Sequence, residues 1–283
     1  MYQAGLVLEG GGMKGIYTAG VLDFFLDKEI EFSSCYGVSA GACCLCSYLS
    51  GQKKRAYRIN VNYLEQKAYC SVESLLKTGD LFGVDMCYGL IPDYLDPYDY
   101  DAFNRYQGKA YAVVTNIKTG KTEYMLLKDM HQDTIAVRAS SSLPLVSRNV
   151  KIGDELYLDG GISDSIPIRR SMKDGNRKNV IILTKEEGYI RQPAKGAELA
   201  LIKARYMRYP KVYECMRERH LTYNNTMQYI EEMQSQGKVF VIRPKQKSNV
   251  GRVEKDKAKL DALYKEGYRD AENCYLELLE YLG

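Results

Sequence analysis

"FSSCYGVSAGACCLCSYLSG" (residues 32–51) reads as a short strand, a turn carrying Gly37, Ser39 and Gly41 in G-x-S-x-G spacing, and an apolar helix. A serine between two glycines at a strand-to-helix junction has the form of a nucleophile elbow. The small residues relieve crowding around a tight turn, and the turn holds the hydroxyl out from the end of the sheet. The same letters also describe a helix N-cap serine with glycines on either side. The rest of the chain discriminates between the two.

Upstream, "LVLEGGGMKGIYTAGVLDFFL" (6–26) is another strand, turn and helix, with Gly10, Gly12 and Gly15 in G-x-G-x-x-G spacing. A glycine turn that opens a helix offers unpaired backbone N–H groups and the positive end of the helix dipole, so it predicts an anion site without naming the anion. Glu29 and Glu31 stand near where a dinucleotide fold places its ribose-binding acid, so that test does not decide. A phosphate loop of the Walker type is ruled out, because Lys14 is followed by Gly15 rather than Ser or Thr. The serine turn is the better guide. A dinucleotide unit has no use for a serine displayed after its second strand, whereas acyl transfer needs a nucleophile beside an oxyanion site. Adjacent parallel strands end side by side, so the 10–15 turn and Ser39 are expected to share one crevice.

A nucleophilic serine needs a base. The chain has two histidines, His131 at the start of a helical stretch and His220 within the charged helical run "CMRERHLTYNN", and both have the context of surface residues. The alternative is "DGG" at Asp159, Gly160 and Gly161, which follows the strand-like "ELYL". A buried carboxylate is more basic than a solvated one and could take the serine proton without an imidazole relay. By itself D-G-G also describes an ordinary turn.

With 283 residues, 45% hydrophobic and 27% charged, the chain has ordinary globular composition and enough length for a substantial core. A net charge of +4 is too small to argue for nucleic acid. No run is long and apolar enough to span a membrane, and nothing at the start reads as a secretory leader, so a cytoplasmic protein is expected. The eight cysteines lack paired metal-ligand spacing and suit a reduced, disulfide-free protein, and no metal or other cofactor is expected. Strands are expected near 4–9, 32–39, 109–127 (a hairpin turning at Lys118–Lys121), 152–159, 179–184 and 238–244, with helices between and amphipathic helices from about 245 to 283. Alternating strands and helices predict an α/β sandwich around a mainly parallel sheet. No linker or repeat divides the chain, so one domain over 1–283 is expected, with its motif-bearing core at about 4–190. The aromatic-rich stretch from Leu81 to Phe103 is a candidate lid or acyl pocket, with Leu90 and Ile91 as wall residues.

Three ordered motifs, "GGGMKG" (10–15), "GVSAG" (37–41) and "DGG" (159–161), with "TGDLFG" (78–83) and "GISDSIPIRRS" (161–171), resemble the bacterial patatin-like phospholipases over most of residues 4–190. The resemblance implies a three-layer α/β/α sandwich and a Ser–Asp dyad without a catalytic histidine. It implies that Ser39 is the nucleophile and Asp159 the base. It further implies that Gly11 and Gly12 aim backbone N–H groups at the oxyanion, and that Lys14 fills the place where the family carries Arg or Lys.

The expected activity is hydrolysis of lipid carboxylic esters, of phospholipase A or lysophospholipase type, through an acyl-enzyme. The basic stretches at 168–178 and 242–259 suit peripheral contact with an anionic lipid surface, and nucleic acid is not an expected partner. Three rivals stand beside this reading: an acyl-thioesterase on the same fold, a partner-binding protein whose chemistry is dispensable, and a nucleotide-binding protein that uses the glycine turn. Oligomeric state, chain length and head group are not written in these motifs.

Overall fold

A computed structural model describes residues 1–283. Eight strands form one sheet: β1 (Tyr2–Leu8), β2 (Phe32–Val38), β3 (Lys109–Asn116), β4 (Thr122–Leu127), β5 (Val150–Ile152), β6 (Glu155–Asp159), β7 (Asn179–Ile182) and β8 (Val239–Ile242). The helices are α1 (Ile16–Asp27), α2 (Ala40–Leu49), α3 (Arg55–Asn62), α4 (Val72–Thr78), α5 (Tyr100–Asn104) and α6 (Met130–Ser140), followed by α7 (Ile168–Lys173), α8 (Gly196–Arg205), α9 (Pro210–Ser235), α10 (Lys257–Asn273) and α11 (Tyr275–Leu282). A π-helical segment, Met86–Leu95, lies between α4 and α5.

β1 is buried continuously from Ala4 to Leu8, as expected of a central parallel strand covered on both faces. Alternation along the strands assigns each side chain to a layer. Leu6, Leu8, Cys35, Val180 and Ile182 point into a cluster shared with α1, α2 and α10, whereas Val7, Tyr36 and Ile181 point into a second cluster with Ile168 of α7 and Tyr223, Met227 and Ile230 of α9. The protein is therefore a three-layer α/β/α sandwich. The C-terminal helices belong to it: Gly20 of α1 lies against the backbone of α10 at Tyr264, and Gly267 of α10 lies against the backbone of α1 at Tyr17. Asp23, buried in α1, accepts the Tyr264 hydroxyl at 2.6 Å.

The sheet is parallel from its β8 edge to β3 and antiparallel beyond. β8, β7, β1, β2 and β3 run parallel, and β4, β5 and β6 add antiparallel ladders. The stretch expected to bring one strand to Asp159 is a hairpin of β5 and β6, turned at Gly153 with φ 59°. β3 organises the centre of the molecule. Its Val114 and Thr115 pair with β4 and β6 at once, so these two strands lie on opposite edges. β2 pairs with β3 from Ser34 to Val38 and stops opposite Val113, and β6 occupies the same edge from the next row onward, ending with Asp159 opposite Val114. The C-terminal ends of β2 and β6 thus meet head-on.

Candidate active site

Ser39 is the first residue past β2, with φ 55° and ψ −123°. Side chains rarely occupy that backbone region, and such strain gathers where a structure must display a functional group. The surroundings enforce the turn: a Cβ on Gly37 would come within 2.6 Å of Ala42 Cα, and one on Gly41 within 2.7 Å of the Leu8 carbonyl. The Ser39 N–H donates to Ser140 Oγ at 2.9 Å, which ties the elbow to the end of α6.

The glycine turn shares the crevice, as adjacent strand ends predict. A Cβ on Gly10 would lie 2.9 Å from Ser39 Cβ, and one on Gly15 would lie 2.7 Å from Ala40 Cβ. Gly12 has φ 59°, and a side chain there would also press on the Arg252 carbonyl at 2.5 Å. Gly11 is extended and packs against Thr184 Oγ1. Neither N–H, of Gly11 or Gly12, is taken up by another group of the chain. The next N–H, of Met13, donates to the Arg252 carbonyl at 3.0 Å, so the C-terminal region clamps the turn. Behind it, buried Glu9 accepts the Thr184 N–H at 2.7 Å and the Tyr223 hydroxyl at 2.9 Å.

Asp159 reaches the elbow from the other side and is 1% exposed. Its Oδ1 accepts the Gly161 N–H at 2.7 Å, whereas Oδ2 is buried and has no hydrogen-bond partner. Burial raises the carboxyl pKa, against the opposing pull of the Ser39 hydroxyl, the Arg219 charge and the Gly161 N–H. Ser39 and this carboxylate line one cavity, and no hydrogen bond of ordinary geometry joins them in this structure. Gly160 passes so near the Val113 carbonyl that a Cβ would meet it at 2.2 Å, and the Gly161 carbonyl accepts from Arg219 Nε.

Two cavities open at Ser39. One, of about 230 Å³, is walled mainly by apolar side chains, among them Cys43, Leu81, Phe82, Val84, Tyr88 and Val137. The other, of about 190 Å³, contains Ser39, Asp159 and the 10–12 turn, and is lined by Lys14, Lys185, Arg191, Arg219 and Arg252. Burial, with Lys14 and Arg191 nearby, lowers the Lys185 pKa to about 8. Burial, helped by Arg191, brings Arg219 down to about 10.

The expected site residues Gly10, Gly11, Gly12, Lys14, Gly15, Gly37, Ser39, Gly41, Asp159, Gly160 and Gly161 all lie at or directly behind this junction. Neither histidine lines either cavity. His131 stacks on Tyr100 with ring centroids 3.9 Å apart; His220 is half-buried on α9 rather than exposed, with Nδ1 buried and unpartnered. The 81–103 stretch does wall the apolar cavity, but through Leu81, Phe82, Val84, Cys87, Tyr88, Pro92, Tyr98 and Tyr100. Leu90 is 47% exposed and Ile91 is packed into the core, because the π-helical segment turns Cys87 and Tyr88 inward instead. Of the basic stretch at 168–178, Arg169 stacks on Tyr229 and Arg170 pairs with Asp174, so both have partners within the protein. Sequence reasoning missed Lys185, Arg191 and Arg219 because no spacing links them.

A sequence profile described as patatin-like phospholipase matches residues 6–171, and one described as a domain of unknown function (DUF6363) matches residues 209–283. The uncharacterized protein YjjU of Escherichia coli is 27% identical over 245 residues, which cover 84% of this chain and 68% of that protein. The probable lipid hydrolase 463L of invertebrate iridescent virus 6 is 24% identical over 195 residues, covering 63% of this chain and 66% of the viral protein. The chain thus spans about two thirds of the length of these relatives. The crystal structure of VipD from Legionella pneumophila aligns over 96% of this chain and 66% of VipD, with a TM-score of 0.47 and 14% identity.

Proposed function

The chain belongs to the patatin-like phospholipase family, and on that premise we propose that it is a serine acyl hydrolase that cleaves carboxylic esters of lipids through Ser39 and Asp159. The observation that carries this reading is the buried, unpartnered Oδ2 of Asp159 beside a strained, displayed serine. A carboxylate left without a partner in a low-dielectric site is costly, and it is a strong acceptor for a proton delivered at that point.

Asp159 accepts the Ser39 hydroxyl proton as Oγ bonds to the ester carbonyl carbon, and the carbonyl electrons move onto oxygen. The free N–H groups of Gly11 and Gly12 receive that oxyanion, a contribution worth about 3–4 kcal/mol per donor in comparable sites. Collapse breaks the ester C–O bond, and the leaving alcohol departs with the proton held by Asp159. Water then attacks the acyl-enzyme, Asp159 takes a water proton, and Ser39 regains it as the fatty acid leaves. The apolar cavity accommodates the acyl chain. Outside that cavity the same π-helical segment presents Leu90, Tyr94 and Leu95 to solvent, an apolar face suited to contact with a lipid surface. No helix is long and apolar enough to cross a membrane. We take residues 1–283 as one domain, since α10 packs on α1 and Arg252 reaches the glycine turn.

A fluorophosphonate probe tests the reading. The expected result is labelling of Ser39, with labelling and ester hydrolysis both lost in a folded Ser39→Ala protein. Labelling of another serine, or hydrolysis that survives Ser39→Ala, overturns it.

A further inference from the structure

The polar cavity holds more positive charge than ester hydrolysis requires. Lys14, Lys185, Arg191, Arg219 and Arg252 converge on it, and the only acid in its lining is Asp159. None of the five forms a salt bridge. The guanidinium of Arg191 lies over the Tyr223 ring at 4.1 Å, and its Nε is buried without a hydrogen-bond partner. Arg219 spends its Nε on the Gly161 carbonyl, beside the dyad. Cations gathered in one cleft without acidic partners repel one another and lose hydration, so the arrangement costs the fold stability. The depressed Lys185 and Arg219 pKa values reflect that cost. A bound anion would remove it. Strained or unpaired groups of this kind gather where a ligand completes them.

The origin of the charges adds an independent observation. Lys185, Arg191, Arg219 and Arg252 all fall after residue 171, where the patatin-like match ends, and Arg219 and Arg252 fall inside the stretch matched by the domain of unknown function. The catalytic motifs and most of the apolar wall come from before that point. Ser39 lies where the two cavities meet, so a substrate with its acyl chain in the apolar one extends its leaving group into the cationic one.

We propose that the residues after 171, together with Lys14, build a subsite for a phosphorylated leaving group carrying about two negative charges, and so make this enzyme selective for acyl esters of phosphomonoesters or of more highly charged phosphate compounds. The proposal rests on the acyl-hydrolase reading above. A phosphomonoester supplies a charge of about −1.5 to −2 at neutral pH and three acceptor oxygens, which suits several forked donors better than a phosphodiester carrying one charge. The product alcohol keeps its phosphate and departs with the proton from Asp159.

The experiment compares kcat/KM for oleoyl glycerol 3-phosphate, a phosphomonoester, and for oleoyl glycerol 3-phosphocholine, a phosphodiester, in identical detergent micelles, with oleoyl-coenzyme A as a soluble phosphorylated acyl donor. The phosphomonoester is expected to win by at least about tenfold, the loss associated with one charge-assisted hydrogen bond. Arg191→Gln should cut that ratio about tenfold, Arg191→Lys should restore part of it, and Lys128→Gln, a surface change outside both cavities, should keep it. Preference for the glycerophosphate ester over the thioester identifies a lipid headgroup as the source of the charge, and the reverse identifies a soluble carrier. A ratio near one, or a ratio that Arg191→Gln leaves intact, overturns the proposal. Glycerol 3-phosphate should also raise the melting temperature of the Ser39→Ala protein, and this gain should be lost on adding Arg191→Gln. If a folded protein hydrolyses no ester and its Ser39 is not labelled, the acyl-hydrolase reading fails, and this binding measurement alone decides the subsite.

Discussion

The two cavities that meet at Ser39 are built from opposite materials. Twenty of the thirty-four residues around the larger are hydrophobic, against two of the fourteen around the smaller. The apolar cavity leaves hydrocarbon surface uncovered, at about 25 cal/mol per Å². The cationic one leaves like charges facing one another, with Asp159 the one acid in its lining. Both give up stability that a ligand would restore, but by different physics: one favours any alkyl chain that fits, the other favours charge of one sign. Their difference teaches that Ser39, Asp159 and most of the apolar wall come from the first 171 residues, while four of the five cations come from the rest.

Changes at the point where the cavities meet should be the most damaging, because they break both halves together. Ser39→Ala and Asp159→Asn should each lower kcat on a neutral short-chain ester by about 10³ or more, and the double variant should be little worse than either, since the two groups act as one unit. His131→Gln and His220→Gln should stay within a few fold of wild type; a near-total loss in either, with the fold intact by circular dichroism, replaces the dyad with a Ser–His pair. Gly12→Ala comes next. It forces a side chain into φ 59° and against the Arg252 carbonyl, and should cost about 10² in kcat by redirecting one oxyanion donor.

The pH profile sharpens the comparison further. The base must be ionised, so kcat/KM for every ester should fall as pH drops through the raised Asp159 pKa. At the other end, Lys185 is charged below about 8 and neutral above it, under the influence of Lys14, Arg191, Glu9 and Glu186. KM for a phosphorylated ester should therefore rise several fold between pH 7 and 9, whereas KM for a neutral ester should not; equal behaviour of both substrates removes Lys185 from the charged side. The smallest effect is expected in the acyl wall. Val84→Phe should shift preference toward shorter chains by several fold, and Leu90→Phe, whose side chain points to solvent, should leave the chain-length profile unchanged.

The elbow and the glycine turn were legible because each is local. A G-x-S-x-G stretch between an apolar run and a helix is a statement about backbone crowding within a few residues, which fits the clash a Cβ at Gly37 would make with Ala42; Gly41 answers instead to the carbonyl of Leu8 on the neighbouring strand. The aromatic stretch at 81–103 marked a cavity wall, yet Leu90 was the wrong residue within it, because periodicity does not foresee a π-helical segment that changes which side chains turn inward.

By itself, then, the sequence determined the three-layer class and the two glycine turns, since helix and strand periodicity and the allowed φ/ψ of glycine act over short range. Only the tertiary structure decided how Asp159 meets Ser39. A parallel strand would have brought the carboxylate to the sheet edge beside its neighbours, but β6 runs antiparallel and meets β2 end to end along one edge of β3. The same holds for the cations: Lys185 follows β7, Arg191 stands in a loop, Arg219 projects from α9 and Arg252 precedes α10, and no local pattern joins them. Strand register and helix packing bring them together, and those are settled by burial across the whole sheet rather than by any neighbouring residues.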